Sequence, residues 1–156
     1  MVRAMRGVGL LCVLLSGCMG QGNGAAQRFH ETVLDMNKNT RWGQIGDAVR
    51  WVEPSYQGKF AQTHMAWGED IQLADSEVVS IQMAPDQESA IALVSYQWYR
   101  TADMNLYTTI VQQRWSQVGE NFLLMSERVV KGEVALLATP SGNSLSADAQ
   151  SLAPPG

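Results

Sequence analysis

Ser89 to Arg100 reads SAIALVSYQWYR, Leu106 to Gln117 reads LYTTIVQQRWSQ, and Asn121 to Val130 reads NFLLMSERVV. Each run is dense in β-branched and aromatic residues, and each is bounded by polar or glycine-bearing turns. That texture predicts strands. Thr101 to Asn105 supplies one turn, and Gly119-Glu120 supplies a two-residue hairpin with glycine first, as a type II′ turn requires. Upstream, Ile71 to Met83 is rich in Val and Ile, with a bulge or turn expected at Ala74-Asp75-Ser76, and Pro85-Asp86-Gln87-Glu88 closes it as a turn. Glu133 to Leu137 offers a short extension of the sheet edge.

The chain before these strands has helical periodicity. Ala26, Phe29, Val33 and Met36 form one apolar stripe over Ala25 to Asn37, and Asn37-Lys38-Asn39-Thr40 is expected to break it. Trp42, Ile45, Val49 and Val52 form a second stripe, weakened by Gly43 and Gly46. Pro54 suits the first turn of a third helix, with Tyr56, Phe60 and His64 on one face. Three helices followed by an antiparallel meander predict an α+β fold, with N-terminal helices packed on a curved antiparallel sheet of four to five strands. The domain is expected to span residues 25–137, and residues 138–156, rich in Pro, Ser, Gly and Ala, read as a disordered tail.

The order of elements, with Tyr96-Gln97-Trp98-Tyr99, Val111-Gln112-Gln113-Arg114-Trp115, a glycine hairpin and Phe122-Leu123-Leu124, resembles the NTF2-like (cystatin-like cone) superfamily, which includes ketosteroid isomerase and the SnoaL-like cyclases. The resemblance implies a curved sheet wrapped on a long helix, with a pocket at the open end. It does not imply one function, because the fold hosts enzymes, ligand binders and scaffolds. The isomerase set of an Asp base, a Tyr and a protonated carboxylic acid does not map onto this sequence residue by residue.

The N-terminus has its own logic. Arg3 and Arg6 precede an apolar run from Gly7 to Leu15, which is too short to span a bilayer and has the form of a signal peptide over residues 1–17. Leu15-Ser16-Gly17-Cys18 resembles the lipobox of bacterial lipoproteins. The resemblance implies cleavage before Cys18 and acylation of that cysteine, so the membrane is the expected partner through lipid on Cys18. Two or more acyl chains hold a protein on a membrane where one does not. Met19, in place of the Asp typical of inner-membrane retention, implies the inner leaflet of the outer membrane in a Gram-negative source. Residues 18–24 then form a glycine-rich tether.

Composition narrows the function. Without the signal peptide the chain carries nine basic and fifteen acidic residues, a net −6 with histidine neutral. That balance argues against nucleic acid as a partner. Cys12 leaves with the signal and Cys18 takes lipid, so no thiolate remains for a disulfide or a metal. His30 and His64 have no ligand-spaced partners, there is no HExxH and no Gly-x-Ser-x-Gly, and no cofactor is expected. Both histidines read as packing or surface residues.

Pairing the strands across the turns at 85–88, 101–105 and 119–120 puts Ile81 opposite Ala92, Tyr96 opposite Ile110, Gln112 opposite Glu127 and Arg114 opposite Met125. One face then collects Val79, Ile81, Met83, Val94, Tyr96, Trp98, Ile110, Met125 and Val129, and with them Gln112, Arg114 and Glu127. Buried charges are rare unless paired. Either these polar residues pair at a rim, or Tyr96, Trp98, Gln112, Arg114 and Glu127 line a water-accessible pocket. A one-residue slip would move them to the other face. The functional expectation is a membrane-anchored envelope domain that binds a small hydrophobic ligand or an envelope protein without catalysis. The alternative is a pocket enzyme of the isomerase, dehydratase or cyclase type, which an acid/base pair converging in the cavity would favour.

Overall fold

The polar run Asn37-Lys38-Asn39-Thr40, expected to end the first helix, lies inside it. In the computed structural model, which describes residues 24–139, α1 runs from Ala25 to Arg41. The run stays helical because its side chains bond within the helix. Asn37 Nδ2 donates to Val33 O at 2.8 Å, Asn39 Nδ2 to Asp35 O at 2.9 Å, and Thr40 Oγ1 to Asn37 O at 2.9 Å. Gly43, at φ +69°, then turns the chain in a conformation open to glycine. Signal peptide, Cys18 and most of the tail fall outside the described residues.

The second stripe gives only a short α2, Ile45–Ala48, passing into a 3₁₀ turn at Val49–Trp51. Trp42, expected in that stripe, is 68% exposed. The third helix, α3, spans Gln57–His64, and Phe60 and His64 on its inner face are fully buried. Four strands follow: β1 (Ile71–Met83), β2 (Ser89–Arg100), β3 (Tyr107–Val118) and β4 (Asn121–Lys131). They form one antiparallel sheet in sequence order. The fold is therefore α+β, three helices against a four-stranded antiparallel sheet. Glu133 to Leu137 does not extend the edge. Val134–Leu137 is a 3₁₀ turn that folds back, burying Leu136, and the Trp67 indole N–H donates to Leu136 O at 3.0 Å. Gly132 makes the fold-back possible: at φ +93°, a Cβ there would stand 2.3 Å from Thr108 O.

The register differs from the expected one in two places, and both matter. The β2–β3 connection runs one residue further than expected, so β3 begins at Tyr107, and Tyr96 faces Thr109 rather than Ile110. Every β3 side chain is thereby moved to the opposite face. Thr109, Val111, Gln113 and Trp115 point inward and are buried, whereas Gln112 and Arg114 lie on the outer face. In β4, Trp115 pairs with Leu124 but Arg114 pairs with Ser126, so Met125 is the extra residue of a β-bulge. The bulge switches the inward positions from Phe122 and Leu124 to Glu127 and Val129. Glu127 therefore points inward as expected, but its cross-strand partner is Gln113, not Gln112. A comparable shift in β1 leaves Val79 exposed and turns Val78 inward, beside Ile81 and Met83. The shift between Leu73 and Asp75 matches the bulge expected at Ala74-Asp75-Ser76.

The core has two connected parts. Phe29, Val33 and Met36 of α1 pack on Ala90, Ala92, Trp115, Phe122 and Leu124. Trp67, Ile71, Val94, Tyr96, Trp98, Val111 and Leu136 make the second part.

Candidate functional site

Where α1, α3, β3 and β4 converge, the interior is polar. The Tyr56-Phe60-His64 stripe of α3 delivers an imidazole to the inner face of β4. His64 Nδ1 lies 2.8 Å from Phe60 O. A carbonyl only accepts, so Nδ1 carries the proton and Nε2 of the neutral ring presents a lone pair. Nε2 stands 3.3 Å from Glu127 Oε2. That distance is within ion-pair range, but the alignment falls short of a hydrogen bond, and neither atom has another partner. The His64 and Glu127 side chains are 0% and 1% exposed. Phe60 and Trp67 cover the imidazole, with ring centroids 4.1 and 4.2 Å from it.

The other carboxyl oxygen is held by β3. Gln113 Nε2 donates to Glu127 Oε1 at 3.0 Å and to Asn37 Oδ1 at 3.0 Å, and Asn37 Nδ2 donates back to Gln113 Oε1 at 3.1 Å. The Tyr96 hydroxyl donates to Asn37 Oδ1 at 2.5 Å. Tyr56 Oη accepts the Glu127 main-chain N–H at 3.0 Å. A continuous polar chain thus runs Tyr96–Asn37–Gln113–Glu127–His64 through a dry interior.

Burial dominates its electrostatics. Desolvation raises the Glu127 carboxyl to about 7, against the opposing pull of the Gln113 donor. Desolvation lowers His64 to about 4, against the Phe60 carbonyl, which favours the protonated ring. Tyr96 is pushed well above the ordinary phenol value by burial and by Glu127, and Tyr56 is raised for the same two reasons. A carboxylate facing a bare Nε2 lone pair would be repulsive, so the pair holds one proton. Both shifts favour the uncharged arrangement, with that proton on Glu127 and a neutral imidazole. The chemistry is that of a weak acid against a weak base, sealed from water.

The residues singled out from the sequence divide accordingly. Tyr96 points inward and its hydroxyl ends the polar chain at Asn37, whereas Trp98 points into packed core: its Nε1 donates to Thr109 Oγ1 at 3.0 Å and the ring lies 4.9 Å from that of Tyr107. Glu127 is in the site. Gln112 and Arg114 are not; Gln112 Oε1 accepts from Arg128 Nε and Nη2 at 3.1 and 2.6 Å on the outer face. Sequence reasoning missed His64 as a partner, along with Gln113 and Asn37. The one usable signal was that His64 completes the apolar stripe of α3. Among the described residues, no group of three His, Cys, Asp or Glu side chains could hold a metal ion, and no helix is long and apolar enough to cross a membrane.

Comparison with known proteins adds a structural likeness. No family model matches the chain. No curated protein matches it in sequence. The solution structure of a SEC-C motif containing protein from Rhodopseudomonas palustris is similar, with a TM-score of 0.54 and 9% identity, covering 64% of this chain and 77% of that one. At that identity the likeness concerns the fold alone.

Proposed function

We propose that this chain is a lipid-anchored envelope protein whose domain is an NTF2-like cone acting as a binding module rather than an enzyme. The observation that carries the non-catalytic reading is the sealing of the His64–Glu127 pair. Its side chains are closed in by α3, by Trp67 and by the Gln113–Asn37 amides, and large rings fill the rest of the cone. An acid and a base that no substrate reaches serve the fold. Helices first, then a four-stranded antiparallel meander against them, support the NTF2-like reading. The lipobox-like Leu15-Ser16-Gly17-Cys18 supports the anchor, and α1 starts at Ala25, so the tether is short.

Two measurements test this. Palmitate labelling should mark the wild type and not Cys18→Ala, which should accumulate as unprocessed precursor; normal processing of the variant would remove the anchor. Native mass spectrometry of the protein extracted from membranes should show a bound molecule or partner. A second reading, a pocket enzyme of the isomerase type, is favoured by the acid–base pair itself and by a groove of about 240 Å³ lined by Tyr56, Thr63 and Glu127. Turnover lost in Glu127→Gln with the fold intact would decide for that reading.

A further inference from the structure

The displaced residues Gln112 and Arg114 do not sit on a flat surface. A concavity of about 700 Å³ crosses the sheet, lined in part by Gln82, Ile91, Arg114, Met125 and Ser126, and so reaches all four strands. A second hollow of about 190 Å³, lined by Ser80, Gln82, Ile91, Leu93 and Gln112, shares Gln82 and Ile91 with it. Together they form one trough on the face away from the helices. Its size suits a small molecule. The Met125 bulge lies in its wall, at the register shift between Arg114 and Trp115, and bulges commonly re-aim side chains beside binding sites.

The lining is chemically one-sided. It contains no Asp or Glu, and its one cation is Arg114. Arg114 makes no hydrogen bond or ion pair with any described residue, whereas Arg41, Arg50 and Arg128 are engaged by Asp75, Asp35 and Gln112. Ile91 lies directly opposite Arg114 in the ladder, and Leu93 opposite Gln112. An apolar strip therefore leads away from a single uncommitted guanidinium. Met125, in the trough wall, adds a flexible, polarizable side chain that adapts to an alkyl chain.

We propose that this trough binds a single-chain amphiphile with an anionic head, an alkyl carboxylate, with its head on Arg114 and its chain along Ile91 and Leu93. The inference deepens the binding-module reading by naming a site and a ligand class. A carboxylate accepts two parallel N–H bonds from a guanidinium, which no alcohol or ammonium head can do.

The probe is decanoate, below its micelle concentration, titrated into the labelled full chain and followed by amide shifts in two-dimensional NMR. Decanoate should perturb the trough strands around Ile91, Arg114 and Ser126. Decanol should bind at least about tenfold more weakly, and decyltrimethylammonium should not bind. Arg114→Gln, an exposed position whose substitution leaves the fold intact, should remove the preference for decanoate over decanol and leave decanol binding unchanged. Ile91→Asp should weaken decanoate and decanol together. Equal binding of decanoate by wild type and Arg114→Gln, or shifts confined to other surfaces, would overturn the proposal. If decanoate leaves the trough untouched while the membrane-extracted protein still carries a bound species, this site is wrong and the binding reading survives.

Discussion

Phe29, Trp115 and Phe122 meet at one end of the interior, with Phe29 5.7 Å from the Trp115 ring, edge-on, and 5.1 Å from that of Phe122. The Trp115 indole N–H, buried there, has no hydrogen-bond partner among the described residues. At the other end, with no more access to water, Tyr96, Asn37, Gln113 and Glu127 are joined by hydrogen bonds, and Glu127 shares one proton with the base that faces it, His64. The first region is specified by volume, which many side chains could approximate. The second is specified by donor and acceptor geometry, which few could reproduce. A dry contact loses stability in proportion to the atoms removed. A buried polar contact loses little when all its members stay matched and a great deal when one is orphaned.

Substitutions can break that contrast in turn. Phe29→Ala should cost about 3–5 kcal/mol in denaturant unfolding, by a similar amount at every pH between 4 and 8, because only packing is lost. The polar end should respond to pH instead. In the unfolded chain His64 takes up a proton below about 6.5 and Glu127 releases one above about 4.5; in the folded protein those values become about 4 and about 7. Between pH 4.5 and 6.5 both states therefore hold one proton on the pair, and its net contribution to the slope of stability against pH is near zero. Glu127→Gln should uncover the histidine. The unfolded state then binds the extra proton, so stability falls by about 3 kcal/mol as pH drops from 6.5 to 4. His64→Gln should uncover the carboxyl, whose raised value gives stability present below pH 4.5 and lost, again by about 3 kcal/mol, as pH rises through 7. Parallel pH profiles for the two variants would mean that the pair is not the neutral acid–base unit described above.

The smallest effect is the sharpest. Gln112 and Gln113 are adjacent and chemically identical. Gln113→Leu removes the donor to Glu127 Oε1 and one partner from each end of the Asn37 amide, and should cost about 2 kcal/mol. Gln112→Leu should stay within about 0.5 kcal/mol, since its Arg128 contact is exposed. Equal costs would put both residues in the same environment and contradict the register.

Such pairs show why the strands were legible in the sequence and the site was not. Texture and turn residues located all four strands to within a residue or so. Facing is a parity, and each unforeseen residue inverts it. Leu106, exposed at the end of a turn, looked like the first residue of β3, and that inverted Gln112, Gln113 and Arg114. Met125 looked like any apolar strand residue, and only pairing reveals that it bulges. The two errors cancel at Glu127, which was placed inward for an incomplete reason. Asn37 and Thr40 failed differently. As free side chains they disfavour helix, but here both bond back to carbonyls within α1, and Asn37 also meets Gln113 and Tyr96, distant partners of which local propensity carries no record. His64 was visible as part of a stripe, but its acid was not, because nothing in the spacing joins α3 to β4.

Asn37 and Gln113 are 76 positions apart, and Tyr96 and Asn37 are 59 apart. The polar chain therefore cannot close until α1, α3 and the β3–β4 hairpin have all arrived, which places it late in folding, after the local contacts that form cheaply. The same dependence works in reverse. Lifting α3 alone would open Glu127 and the Gln113–Asn37 amides behind it to water and take His64 away from its acid, so the last turn of α1, α3 and the inner half of β4 should open as one unit. In native-state hydrogen exchange their amides should share one opening free energy and one denaturant dependence, while the exposed ends of β1 exchange independently.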